Sequence, residues 1–253
     1  MAPFRTYIIC ATTRSGSTLL CRLLSETKVA GNPNSYFHVP SVSAWMRALN
    51  VTDQQTASEK ENLETVIEAA RLAGRGGTDI FGLRLMRKSF DFLMEKLALL
   101  HPGLPSDAAR FEAAFGRTGY IHLTRSDKVA QAVSLVMATQ TGLWHKASDG
   151  TELERTAPPQ EPTYNADEIA GHVAELKSYD GDWEQWFEQQ RIDPIRVSYE
   201  ELSANPGDTL RQILMRLGLD PEMAKGISPG VAKLADETSR SWVERFITEQ
   251  GNG

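Results

Sequence analysis

Residues 7–24, Tyr7-Ile8-Ile9-Cys10-Ala11-Thr12-Thr13-Arg14-Ser15-Gly16-Ser17-Thr18-Leu19-Leu20-Cys21-Arg22-Leu23-Leu24, decide the fold. Residues 7–11 are a short apolar run rich in β-formers, and residues 18–24 place apolar side chains at helical spacing. The Thr/Arg/Ser/Gly segment between them predicts strand, tight loop, helix. Such a loop suits an anion. Gly16 lets the backbone turn tightly, and the amides of residues 15–18, at the helix start, lack intrahelical acceptors and point outward. Ser17 and Thr18 add hydroxyl donors, and Arg14 adds a permanent charge on a planar fork. This is not G-x-x-x-x-G-K-[ST], because the first Gly and the Lys are missing. The loop is also shorter, so it is expected to wrap one phosphate rather than a triphosphate chain. A serine-capped helix after a glycine turn has the same pattern.

Working outward, residues 80–85 and 120–123 read as further strands, followed by helices over 90–100 and 127–141. Residues 195–197 form a short strand. Asn205-Pro206 opens a helix that runs to Leu217 and is closed by Gly218. Helical spacing also marks 57–73, 164–190 and 236–249. Residues 31–40 are dense in turn formers, and 148–163, with three prolines, is expected to be a mobile loop. Arg87 and Lys88 read as solvated charges of a first helical turn. Strands alternating with helices imply parallel pairing and right-handed crossovers. The expected fold class is α/β, a P-loop-like three-layer sandwich. It has a central parallel sheet of about four or five strands and helices on both faces, all in one domain spanning 1–253. Ligands of such sheets bind at the carboxyl ends of the strands.

The composition narrows the function classes. The chain has 253 residues, 41% of them hydrophobic, which suffices for the core of one α/β domain. A net charge of −6 and a pI of about 5.5 argue against nucleic acid or an anionic membrane as partner. An anionic ligand would then require arginines gathered locally. Cys10 and Cys21 fall in a strand and a helix, so no disulfide is expected and a reducing cytoplasm is the natural compartment. The amino-terminal apolar run is too short for a signal peptide and is interrupted by Arg14. No stretch reaches the roughly 18–20 apolar residues of a membrane span. The five histidines lack metal-ligand spacing, so no metal is expected.

A second anion site is legible in His122-Leu123-Thr124-Arg125-Ser126-Asp127 and the helix through Ser134. Arg125 ends a strand, and Ser126 or Asp127 can cap the helix. Ser134 lies roughly 10–12 Å along the helix axis. A helix lying beside a ligand could present Ser134 to a phosphate that Arg125 also grips, although a surface arginine and a helix serine fit the same residues.

Taken in order, TTRSGSTLLCRLL, VAGNPNSYFH, FGLRLM, HLTRSDKVAQAVSLVMATQTGLW and SRSWVERF resemble the bacterial trehalose 2-sulfotransferase family. The resemblance covers both ends and the middle of the chain. It implies a sulfotransferase that moves a sulfuryl group from 3′-phosphoadenosine 5′-phosphosulfate (PAPS) to a hydroxyl, leaving adenosine 3′,5′-bisphosphate (PAP). It also implies roles. Arg14, Ser15, Gly16, Ser17 and Thr18 would hold the 5′-phosphosulfate, and Arg125 and Ser134 the 3′-phosphate. Ser239, Arg240 and Trp242 match a stretch near the nucleotide, although Trp242 also suits the buried face of a helix. Arg84 matches a basic residue near the transferring sulfonate.

One departure matters. The family carries a glutamate in a G-x-P-x-E-[FY]-F pattern as proton acceptor, and that position is Ser35. A serine does not accept a proton at neutral pH, so the base has moved, the substrate differs, or both. His38, three residues on, is the best replacement, because an imidazole titrates near neutrality. Ser35, Tyr36, Phe37, Trp45 and Trp144 are the expected acceptor contacts, the aromatic rings suiting the C–H faces of a sugar or glycolipid. For each ring, a place in the core is the competing expectation. Other readings are a P-loop kinase or a catalytically silent PAP-binding protein. A disaccharide, a lipid-linked sugar, a lipopolysaccharide unit and a small alcohol all stand as acceptors. Relatives can be homodimers, but no interface is legible here.

Overall fold

The computed structural model describes residues 4–52, 58–146, 150–227 and 237–251. In chain order the elements are β1 (Thr6–Ala11), α1 (Ser17–Glu26), α2 (Val42–Ala48), α3 (Glu59–Arg75), β2 (Phe81–Met86), α4 (Arg87–Leu100), α5 (Asp107–Phe115) and β3 (Thr118–Thr124). They continue with α6 (Lys128–Thr141), β4 (Leu143–Lys146), β5 (Glu152–Arg155), α7 (Ala166–Gln190), β6 (Ile195–Ser198), α8 (Tyr199–Ala204), α9 (Pro206–Leu217) and α10 (Glu237–Gly251). A 3₁₀ turn over Pro221–Ala224 follows α9.

The central sheet is wholly parallel, in the order β2-β1-β3-β6. All six residues of β1 are buried, as expected of an inner strand covered on both faces. Its alternation feeds two cores. Ile8 and Cys10 meet α3, α4, α5 and the aromatic end of α7. Tyr7, Ile9 and Ala11 meet α1, α8 and α9. A third cluster joins α6, α7 and α10 through Val133, Ile169 and Trp242. Each large side chain so buried contributes roughly 1.5–3 kcal/mol. Because Ala11 pairs with Met86 and Leu123 in register, the carboxyl ends of β1, β2 and β3 lie side by side. The loops that follow them are thereby gathered at one edge.

Local signals account for the element ends. Ser58 and Glu61 form a capping box at the start of α3. Pro206 opens α9 and Gly218 closes it. Asp127 caps α6 by accepting the Ala130 amide at 2.8 Å. The segment 148–163, expected as a loop, contains β5. That strand pairs antiparallel with β4 as a separate two-stranded ribbon, and the polar, alternating Glu152-Leu153-Glu154-Arg155 is compatible with a solvated strand. Residues 57, 148, 149 and 236, included in expected segments, lie outside the described residues.

Candidate active site

The loop from β1 to α1 is shaped by two backbone reversals. Arg14 and Gly16 have φ of 63° and 87°. A Cβ on Gly16 would sit 2.5 Å from Cδ2 of Tyr199, so this position takes glycine alone. Gly16 is the N-cap of α1 and no side chain caps the helix. Its first amides are therefore left to a ligand. The Ser15 hydroxyl is fully buried and has no protein partner.

Helix α6 braces this loop from behind. Gln131, fully buried, donates from Nε2 to Thr12 Oγ1 at 3.0 Å and to the Thr13 carbonyl at 2.7 Å. Lys128 pairs with Asp180 of α7 at 2.5 Å, and Thr12 also donates to Asp180 at 3.4 Å.

The two predicted anion sites meet. Arg14 donates from Nε to Ser134 Oγ at 3.0 Å and from a terminal nitrogen to the Trp144 carbonyl at 2.6 Å. Arg125 donates to the Arg14 carbonyl at 3.4 Å and lies 4.7 Å from the centre of the Tyr199 ring. Its Nε is buried without a partner. Burial, and then the neighbouring Arg125, lower Arg14 to about 10, so it stays charged at neutral pH. Among the described residues, Arg14, Arg84 and Arg125 form no ion pair with a carboxylate; their hydrogen bonds go to hydroxyls and carbonyls. Like charges desolvated together without a direct ion pair favour the arrival of an anion.

Arg84, near the carboxyl end of β2, links the remaining walls. It donates from Nε to Ser35 Oγ and from a terminal nitrogen to Thr18 Oγ1, both at 2.8 Å. The loop carrying Ser35 is stitched to β2 by a bridge between Asn34 and Leu83, the Arg84 amide donating to the Asn34 carbonyl at 3.0 Å. Thr18 Oγ1 lies 3.0 Å from His145 Nε2, which lies 3.5 Å from Glu154. Burial first, then Arg14, Arg84 and Arg22, push His145 down to about 4, so its ring is neutral at pH 7. His38 is held below its ordinary value by burial, Lys88 and Arg84, with Glu154 opposing.

These groups line one cavity of about 780 Å³. Five Arg or Lys side chains and three carboxylates face it, a local excess of positive charge on an acidic chain. Of the residues expected at the nucleotide, Arg14, Gly16, Ser17, Thr18, Arg125, Ser134, Ser239 and Arg240 line it. Ser15 is buried behind the loop. Trp242 turns away and packs against Tyr164 at 5.6 Å between centroids.

Of the expected acceptor contacts, Ser35 and Trp144 line the cavity, as does His38. Tyr36, Phe37 and Trp45 do not. Phe37 and Trp45 are 1% exposed and pack edge to face at 5.0 Å, and Tyr36 donates its hydroxyl to the Asn32 carbonyl. Burial of ring area in the α3–α5 layer outweighs exposure in a loop. Lys88 is an exposed charge of the first turn of α4, as expected, and also lines the cavity, whereas Arg87 is largely covered and pairs with Asp91 and Asp182. His145, Glu154 and Tyr199 were not anticipated. The alternation of 152–155 was the one available signal for Glu154, and it does not say which strand it pairs with.

Among the described residues, no group of three or more His, Cys, Asp or Glu is placed to hold a metal, and no helix is long and apolar enough to cross a membrane. Fold and site together define a P-loop-like α/β protein with a phosphate-sized anion loop after its first strand and a second arginine after its third. The chain belongs to the Stf0 sulphotransferase family, whose model matches residues 6–249, and it is accordingly a sulfotransferase. It is 28% identical to the trehalose 2-sulfotransferase of Mycobacterium tuberculosis over 97% of this chain and 95% of that one. It is 29% identical to the trehalose 2-sulfotransferase of Mycolicibacterium smegmatis over 95% and 93%. A solved structure, the sulfotransferase domain of the Synechococcus PCC 7002 olefin synthase, is similar over 98% of this chain and 89% of that one, at 13% identity and a TM-score of 0.48.

Proposed function

We propose that the protein uses PAPS as sulfuryl donor and a hydroxyl of a carbohydrate, trehalose foremost, as acceptor. The observation that carries this is the convergence of Arg14, Arg125 and Ser134 on one cavity, with neither arginine in an ion pair with a carboxylate among the described residues. The donor set suits a bisphosphate: the amides opening α1, the hydroxyls of Ser17 and Thr18 and the partnerless Arg125 Nε. PAPS supplies a sulfur already bonded to a phosphate leaving group. The β1–α1 loop grips the phosphosulfate end, and Arg125 with Ser134 the 3′-phosphate. In a loose, in-line transfer, negative charge grows on the bridging oxygen, and Arg14 with the α1 amides stabilises it there. Arg84 and Lys88 offset charge on the sulfonate oxygens. Among the proton acceptors that face the cavity are His38 and Glu154. The relatives named for trehalose make that sugar the first acceptor to try.

Thermal unfolding tests the proposal. Millimolar PAP is expected to raise Tm by several degrees and ATP with Mg²⁺ by less, and labelled sulfate from PAPS should appear on trehalose or another sugar. A larger shift with ATP and Mg²⁺, without sulfate transfer to any hydroxyl, overturns it.

A further inference from the structure

Position 35 is a serine, and its hydroxyl accepts a hydrogen bond from Arg84 at 2.8 Å. It orients a cation and takes no proton. A carboxylate nevertheless reaches the cavity from another element. In the β4–β5 ribbon, Glu154 is the cross-strand partner of His145. Directly paired residues of such a ribbon share one face, and here that face is turned to the cavity, which both side chains line. The ribbon is pinned to the anion loop at two points: Arg14 donates to the Trp144 carbonyl at 2.6 Å, and Thr18 Oγ1 lies 3.0 Å from His145 Nε2. Glu154 Oε2 stands 3.5 Å from the same nitrogen. Thus the carboxylate approaches the same ring nitrogen as the Thr18 hydroxyl in the first turn of α1. Its side chain is 54% exposed, against 25% for His145, so a solute in the cavity reaches Glu154 more readily than the imidazole behind it.

We infer that Glu154 is the general base of the transfer and that His145 is a positioning residue holding its carboxylate beside the anion loop. This rests on the sulfuryl transfer proposed above. The acceptor O–H gives its proton to Glu154 as its oxygen forms a bond to sulfur. The bond from sulfur to the phosphate oxygen breaks, and its electron pair stays on that oxygen. Glu154 then loses the proton to solvent. His145 suits the base poorly, since taking a proton would create a cation among Arg14, Arg84 and Arg22. His38 stands near Lys88 and Arg84 and is left to hydrogen-bond the acceptor.

Glu154→Gln, Glu154→Asp and His145→Gln test this in the full chain. PAP binding is read by calorimetry, and turnover with saturating PAPS over a panel of sugars including trehalose. General-base loss of roughly 10²–10⁴-fold in kcat is expected for Glu154→Gln, with PAP affinity within about threefold of the parent. Glu154→Asp, which keeps the carboxylate on a shorter arm, should recover about tenfold or more of that loss. His145→Gln should lose less than Glu154→Gln in kcat. Turnover of Glu154→Gln within threefold of the parent overturns the assignment. So does an equal kcat loss for the Asp and Gln variants accompanied by weakened PAP binding, which marks a structural role. A parent protein that binds no PAP and sulfates no sugar overturns the transfer itself, and the base assignment with it.

Discussion

Arg14 and Arg125 lie together in a desolvated pocket, an arrangement that costs free energy until an anion arrives. Each donates to neutral oxygens in the meantime, Arg14 to Ser134 and Trp144, and Arg125 to the Arg14 carbonyl. Charge-assisted hydrogen bonds are worth about 1.5–3 kcal/mol. Arg14→Ala and Arg125→Ala are therefore expected to weaken PAP binding by roughly 10–100-fold each, measured by calorimetry. Arg125→Lys should recover only part of this, since a point charge replaces a fork. Gly16 is the second residue on which the loop depends. Gly16→Ala forces a side chain into a positive-φ turn and against the Tyr199 ring. A loss of about 1–3 kcal/mol in urea unfolding is expected, together with weakened PAP binding.

Helix α6 joins the two anion sites as one element. Its amino end follows Arg125, its second turn carries Ser134, and between them Gln131 holds the β1–α1 loop by two hydrogen bonds. Replacing Gln131 by Ala leaves the partly buried Thr13 carbonyl and the buried Thr12 hydroxyl short of a donor. A cost of about 1–3 kcal/mol in stability follows, read by chemical denaturation, with a larger effect on PAP affinity than a substitution at an exposed position of the same helix such as Thr139→Ala would show. The β4–β5 ribbon is the other element that matters here. It was hidden in the sequence because a segment with three prolines and many polar residues looks like a loop, and two four-residue strands are too short to show a period of two. Two helix starts were plain by contrast: Asp127 caps α6 and Pro206 opens α9, each a signal within a few residues. Helices α2, α5 and α8 were not read from the sequence.

At the scale of the molecule, burial of His145 beside the cation cluster sets a pH dependence. The folded chain holds His145 at about 4, against about 6.5 when unfolded. The unfolded form thus binds more protons below pH 6.5, and this contribution to stability, whole above that pH, is lost as pH falls toward 4. Its size is up to roughly 3 kcal/mol. His122, kept low chiefly by burial, and His38 act in the same direction. Urea midpoints should fall between pH 7 and pH 5, and saturating PAP should shrink the drop, because its phosphates offset the charges of Arg14 and Arg84. A midpoint that rises on acidification would contradict this sign.

The strand, loop and helix at 7–24, the arginine after the third strand and the wholly parallel sheet were all readable along the chain. Each follows from steric preference, periodicity or capping within a few residues. Ser35 in place of a carboxylate was equally plain. Folding alone settled which polar groups share the cavity. Glu154 is distant in sequence from Thr18, and no local pattern says that β5 pairs with β4 and faces α1. The aromatic rings of Tyr36, Phe37 and Trp45 went to the core and Trp144 to the cavity because burial depends on which helices cover a segment, a quantity that long-range packing sets.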